Sequence, residues 1–139
     1  MRVAYEIVEH PADVGFRAYG ATLEELFKNA AEAMMSLGCA LESIEERERR
    51  EVAAHGENLE ALLYDWLTEI LAIADAEQLV FHRVEVPEVA GGKARGVVYG
   101  EKFDKSRHNA GTYIKAVTYH QLQIEQTPDG WRAQVFLDV

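Results

Sequence analysis

The sequence predicts an α+β fold, with two amphipathic helices packed on a largely antiparallel β-sheet in a single domain spanning residues 1–139. Two segments carry apolar residues at helical spacing, and the last third of the chain shows only strand-like segments separated by turns. The order is strand, strand, helix, strand, helix, then a run of strands, which favours α+β over a parallel sheet. With 139 residues and 48% hydrophobic residues, the chain can bury one core without disulfide or metal staples.

Two short strands are predicted at the start of the chain. Residues 3–10 alternate loosely between apolar and polar side chains, and Pro11 interrupts the segment because proline offers no N–H to a strand ladder. The second strand is predicted at 13–19, where alternate apolar side chains share one face.

Both helices are predicted from a cap and an apolar stripe. Thr22 and Glu25 have capping-box spacing, and Gly38 predicts the end of the first helix. Asn58 is the cap candidate for the second helix, whose leucines, isoleucine and tryptophan recur at helical intervals between 59 and 71. This stripe is the strongest helical signal in the chain.

The remaining elements are strands and turns. In chain order we expect strands near Val52, at 78–86 with Pro87 as the end, at 94–103, at 113–125 as one strand or a pair, and at 131–139. Gly91-Gly92 and Pro128-Asp129-Gly130 predict turns. Residues 104–111 are predicted to form a solvated polar loop.

The charge of the chain limits the kinds of partner. The formal net charge is −10, with 14 basic and 24 acidic residues. Since nucleic-acid affinity comes largely from cations that neutralise phosphates, strong direct binding of nucleic acid is not expected. An acidic surface suits a protein that docks on a basic partner or holds a cation, and it also favours solubility.

The location of the protein is predicted from its apolar runs and its cysteine content. No apolar run approaches the roughly 20 residues of a membrane span, and the N-terminal residues do not resemble a secretory signal. The single cysteine, Cys39, cannot form an internal disulfide and is expected to be a small buried residue. These features favour the cytoplasm.

The first candidate site is the stretch Glu9-His10-Pro11-Ala12-Asp13-Val14-Gly15. It places a carboxylate and an imidazole at the junction of two strands, where a rigid frame can present them to a cleft. The alternative is a structural turn in which Asp13 binds backbone N–H groups and Gly15 supplies an unusual φ. Spacing alone favours the structural alternative.

The second candidate is the C-terminal pair, Asp138 and Val139. If Val139 ends the chain, its α-carboxylate lies next to that of Asp138, and a cation would stabilise the two charges together. With Asp13 the site would have three oxygen donors, a set that favours Ca²⁺ or Mg²⁺. Two solvated charges on a frayed terminus are the alternative. Spacing does not bring Asp13 and Asp138 together.

The third candidate is the predicted strand around Lys115 and His120. Strand alternation places Lys115 and Tyr119 on one face and His120 on the other. His120 is either a metal ligand or proton carrier, or an ordinary strand histidine. The sequence lacks a phosphate-binding loop, an HExxH pair and a CxxC motif, so no catalytic constellation is evident.

Four segments, in order along the chain, resemble the archease family: Glu9–Gly15, Asn58–Leu67, Ile114–His120 and Leu137–Val139. Pro11 departs from the pattern, which more often has threonine there. The resemblance implies two helices against sheet and a divalent cation, expected to be calcium with magnesium or manganese as alternatives. It implies Asp13, Asp138 and Val139 as ligands, with His10, Lys115 and His120 as neighbours whose role is open.

The resemblance also implies a function without catalysis by the chain itself. Archeases serve an RtcB-type RNA ligase in tRNA splicing and RNA repair, speeding guanylylation of the ligase histidine and allowing multiple turnover. Some members are described as chaperone-like modulators of a tRNA cytosine methyltransferase, for which the metal would be structural. A metal-dependent phosphoester hydrolase using Asp13, His10, His120 and Asp138 is the remaining alternative.

Overall fold

The computed structural model describes residues 3–9 and 13–139 and has the predicted α+β architecture. Two helices and one 3₁₀ turn are present: α1 (Leu23–Gly38), the turn Leu41–Ser43 and α2 (Leu59–Glu77). The strands are β1 (Tyr5–Glu9), β2 (Asp13–Gly20), β3 (Glu48–His55), β4 (Leu79–Ala90), β5 (Lys93–Lys102), β6 (Ala116–Val117), β7 (Gln123–Thr127) and β8 (Gly130–Asp138). His10 and Pro11, singled out above, lie outside the described residues.

The strands form two antiparallel sheets rather than the one that the sequence suggested. One sheet has the order β1-β2-β8-β6, with β7 also paired to β8, and the other has the order β3-β5-β4. Both sheets and both helices contribute to a common apolar core. The sequence pattern identifies strands, but the choice of partner strand depends on long-range packing.

Helix α1 begins and ends through local hydrogen bonds. The Thr22 hydroxyl accepts from the backbone N–H of Glu25 at 3.1 Å, and the Glu25 carboxylate accepts from the N–H of Ala21 at 2.8 Å. At the other end, the N–H groups of Gly111 and Thr112 donate to the last carbonyls of the helix at 2.9 and 2.8 Å. The predicted cap is therefore confirmed, and a distant loop completes the C-terminus.

Helix α2 carries the centre of the core. The Asn58 side chain accepts from the N–H of Ala61 at 2.8 Å, as its position before the apolar stripe predicted. Trp66 is fully buried, and its indole N–H donates to the carbonyl of Phe27 on α1 at 3.2 Å, which links the two helices. Within the described part of the chain, neither helix is long and apolar enough to cross a membrane.

Three local predictions need correction or refinement. Strand β4 continues past Pro87, because that residue lies in a register irregularity between Glu85 and Glu88 where a ladder N–H is not required. The 113–125 segment is a pair of strands, of which β6 has only two residues. The 104–111 loop is not fully solvated, since it buries His108 to 2% exposure.

Candidate functional site

The register of β2 and β8 places Asp13 directly opposite Asp138. Directly opposed residues of an antiparallel pair point to the same face, with Cβ atoms about 5 Å apart. The next pair along, Val14 and Leu137, points to the other face, and Leu137 is fully buried in the core. The two aspartates therefore lie together on the outer face of the five-stranded sheet, although 125 positions separate them in the sequence.

The chemistry of this acidic pair suits a hard cation. Asp13 is half-buried and Asp138 is exposed. Like charges directly opposite each other destabilise a strand pair, and a bound cation would remove that repulsion. Carboxylate oxygens favour calcium, magnesium or manganese over zinc. Among the described residues, no group of three His, Cys, Asp or Glu side chains converges, so further oxygen donors are needed beyond these two.

Two residues adjoin Asp138 by their backbone positions, Val139 and Lys115. Val139 directly follows the end of β8. The N–H of Lys115 donates to the carbonyl of Asp138 at 2.8 Å, and Ala116 lies opposite Asp138 in the ladder. These contacts hold the segment of Lys115 and Ala116 beside the C-terminal end of β8. The side chain of Lys115 is exposed.

His120 reaches the same outer face through an aromatic contact. Its ring lies 5.9 Å from that of Phe136, which alternates with Asp138 along β8. Tyr119 instead stacks on Tyr64 of α2, with ring centroids 4.1 Å apart, so the two neighbours make different contacts. Because β6 ends at Val117, both residues lie outside the strand, and the predicted strand alternation does not apply to them. His120 thus contacts the strand that carries Asp138 but belongs to no three-residue ligand group within the described region.

Gly15 is required for close approach rather than for an unusual φ. The glycines with positive φ in the described chain are Gly91, Gly92 and Gly130. A Cβ on Gly15 would come within 2.7 Å of the Phe136 ring and of the Val135 carbonyl oxygen. The bare backbone therefore lets the Phe136 ring lie across β2, next to the acidic pair.

The outer face continues into a polar pocket that the sequence analysis did not single out. Its volume is about 310 Å³, and it is lined by Arg17, Tyr19, Gln123, Glu125, Arg132 and Gln134. The alternation of β2 contained a signal for it, because Arg17 and Tyr19 share a face with Asp13. The residues of β7 and β8 that complete the pocket lie more than 100 positions further along the chain, and no local sequence pattern connects them with β2.

The sequence of this chain is similar to those of known proteins and of a known protein family. The profile of the archease protein family (MTH1598/TM1083) matches residues 5–139. The protein archease of Pyrococcus abyssi is 43% identical, with 97% of this chain and 98% of the relative covered. That of Methanosarcina mazei is 41% identical, with 97% and 95% covered.

Two solved structures share the fold. The solution structure of Methanobacterium thermoautotrophicum protein 1598 has a TM-score of 0.86 and 35% identity, covering 98% of this chain and 99% of that one. The crystal structure of an archease and possible chaperone from Thermotoga maritima has a TM-score of 0.66 and 23% identity, covering 100% and 98%. The second likeness concerns the fold alone.

Proposed function

Since this chain belongs to the archease family, we propose that it is a non-enzymatic accessory protein of an RtcB-type RNA ligase in tRNA splicing. In this role it speeds guanylylation of the ligase histidine and allows repeated turnover. The observation that carries the proposal is the direct opposition of Asp13 and Asp138, which matches the ligand pair that the family resemblance implies. A buried single cysteine is consistent with work in the reducing cytoplasm.

In this proposal Asp13, Asp138 and Val139 hold a divalent cation, calcium by family resemblance, with magnesium or manganese as alternatives. When bound, such an ion supplies positive charge that can polarise nucleotide phosphates. The β2–β8 ladder fixes the backbone positions of the two aspartates opposite each other before the partner arrives. Pre-positioned ligands lose little entropy on binding, which strengthens the binding of the ion to this chain.

The neighbouring residues would orient a phosphate. Lys115 is exposed and its backbone N–H donates to the carbonyl of Asp138, while the His120 ring contacts that of Phe136. Both can donate hydrogen bonds to phosphate oxygens. His10 is assigned to this group from the sequence motif only. The acidic surface as a whole would steer the chain toward a basic, RNA-binding partner.

Guanylylation of the ligase with Asp13→Asn and Asp138→Asn variants tests the proposal. Each variant loses one of the two opposed carboxylates, so we expect the stimulated rate to fall at least about tenfold. Asp75→Asn is the control, because Asp75 is an exposed carboxylate on α2. Full stimulation by both site variants would reject the role of the acidic pair.

The same variants separate the alternatives. If the protein is a chaperone-like modulator of a tRNA cytosine methyltransferase, the ion is structural, and the variants lose calcium-dependent thermal stabilisation while ligase stimulation persists. Without calcium, Asp138→Asn should be at least as stable as wild type, because one of two repelling charges is gone. Turnover of a phosphoester by the isolated protein with added metal would instead identify a hydrolase.

A further inference from the structure

The polar pocket on the outer face extends across β2, β8 and β7, and Arg17 lines it on the β2 side. This residue lies four positions from Asp13 along β2, which corresponds to about 13 Å at the rise of a strand. Gln134 is directly opposite Arg17 on β8, and Gln123 is opposite Gln134 on β7. The pocket therefore opens on the same sheet face as the acidic pair, but at a separate point.

Hydrogen bonds fix the orientation of the Arg17 side chain. Its Nε donates to Oε1 of Gln134 at 3.3 Å. The Nε2 of Gln134 in turn donates to the carbonyl of Gln121 at 3.2 Å, so both ends of that amide are engaged. This chain of contacts uses the inner nitrogen of the guanidinium, and among the described residues its two terminal nitrogens have no acceptor.

Arg17 is unusual among the arginines that the structure describes. Ion pairs to carboxylates are made by Arg47, Arg50, Arg83, Arg95, Arg107 and Arg132. Arg17 and Arg49 make none within the described residues, and of these two only Arg17 is half-buried. A partly desolvated guanidinium without a counter-ion is costly in free energy, so a ligand that supplies an anion is favoured there.

Two carboxylates in the neighbourhood of Arg17, those of Glu6 and Glu125, are already engaged. Glu6 is opposite Arg17 on β1, but its carboxylate accepts the hydroxyl of Tyr19, whose pKa is raised by this bond. Glu125 pairs with Arg132. The nearby acids limit the net positive charge, so recognition depends on the directions of the donors more than on attraction at a distance.

We propose that this pocket binds a phosphate group. The two free terminal nitrogens of Arg17 match a pair of phosphate oxygens, and Arg132 and Gln123 line the pocket where the remaining oxygens would lie. A carboxylate has only two oxygens and would leave those donors without acceptors. The source of the phosphate, an RNA end or a free nucleotide, rests on the proposed function, because the partner ligase acts on both.

A titration of this protein with inorganic phosphate, followed by ¹H–¹⁵N NMR, tests the site without the ligase or a divalent cation. We expect saturable shifts at the backbone of Arg17 and the side-chain amide of Gln134. Arg17→Gln should weaken binding about tenfold or more, since it removes a charged donor pair. Arg49→Gln, the exposed arginine without an ion pair, is the matched control and should bind like wild type.

Further variants and probes make the result decisive. Arg17→Lys keeps the charge but not the paired donors, so binding intermediate between wild type and Arg17→Gln supports the paired geometry. A 3′-phosphorylated RNA oligonucleotide, its 3′-hydroxyl counterpart and guanosine triphosphate identify the source of the phosphate. Absence of saturable shifts, equal loss in the Arg17 and Arg49 variants, or equal affinity for acetate would overturn the proposal. Each outcome is independent of metal binding and of ligase stimulation.

Discussion

At the residue scale, the most constrained polar group described is the carboxylate of Glu101. Its side chain is 3% exposed and accepts hydrogen bonds from Arg107 at 2.8 and 2.7 Å and from the backbone N–H of Glu45 at 2.7 Å. His108 Nδ1 accepts from the N–H of Asp104 at 2.9 Å, so its Nε2 carries the hydrogen and donates to Glu101 at 3.0 Å. These bonds, those of Arg107 above all, hold the pKa of Glu101 well below its usual value.

Replacing Glu101 by glutamine removes the charge from this cluster and leaves the Arg107 guanidinium without its buried counter-ion. We expect the free energy of unfolding at neutral pH to fall by about 2 kcal/mol, as for a lost hydrogen bond to a charged group. Urea denaturation measures this change. Glu51→Gln is the control, because Glu51 is exposed on β3, and it should be close to neutral.

Wild type and Glu101→Gln should also differ in how their free energy of unfolding depends on pH, and the direction of that difference follows from the pKa of Glu101. The pKa of Glu101 is lower in the folded protein than its ordinary value of 4.5, so its stabilisation is complete above that value and is lost as the pH falls. The difference in stability between wild type and Glu101→Gln should therefore shrink at about pH 3. A difference that stays constant between neutral and acidic pH would contradict this account.

At the scale of elements, helix carboxylates cover the edges of the sheets. Glu24 and Glu32 of α1 accept from the N–H groups of Val89 and Val84 on β4 at 3.1 and 3.2 Å. On α2, Asp65 accepts at 2.9 Å from the N–H of His55, the last residue of the other edge strand, β3. The free N–H groups of an exposed edge strand can pair with another chain, and these carboxylates accept hydrogen bonds from some of those N–H groups. Part of the acidity of the chain is thus structural.

Amide hydrogen exchange of Val84 tests this covering role. Glu32→Ala removes the acceptor, and we expect exchange at Val84 to accelerate about tenfold, as for the loss of one hydrogen bond. Glu32→Gln keeps an acceptor oxygen but loses the ion pair with Lys28, so it controls for that second contact. If glutamine and alanine accelerate exchange equally, the ion pair rather than the edge contact protects the strand.

At the scale of the whole molecule, the fold joins the first strands to the last one and leaves an acidic exterior. Strand β2 is paired with β8 along its whole length, and this pairing brings together the acidic pair and the β2 and β8 residues of the Arg17 pocket. The net charge of −10 acts over longer distances, on the rate at which a basic partner is met. Local recognition and long-range steering are thus separate properties of this molecule.

The association rate constant of this chain with the proposed ligase should depend on salt concentration. Steering by opposite net charges is screened at high ionic strength, so we expect the association rate to fall several-fold between low salt and about 0.5 M, with little change in dissociation. Surface plasmon resonance or stopped-flow fluorescence measures both constants. A salt dependence confined to dissociation would show that the net charge does not steer this encounter.

The sequence by itself determined the local structure of this protein. The caps at Thr22 and Asn58 and the turn at Gly91-Gly92 were predicted and are present, because each depends on residues within about four positions. The antiparallel α+β class followed from the order of these elements. The family resemblance named Asp13 and Asp138, although no local pattern linked them.

Only the tertiary structure decided which distant residues meet. The opposition of Asp13 and Asp138, the contact of Arg17 with Gln134 and the division into two sheets depend on pairing β2 with a strand more than 100 positions away. The burial of His108 against Glu101 depends on how a loop folds back over the core. Such contacts are chosen by the packing of the whole chain, and a period or spacing in the sequence does not specify them.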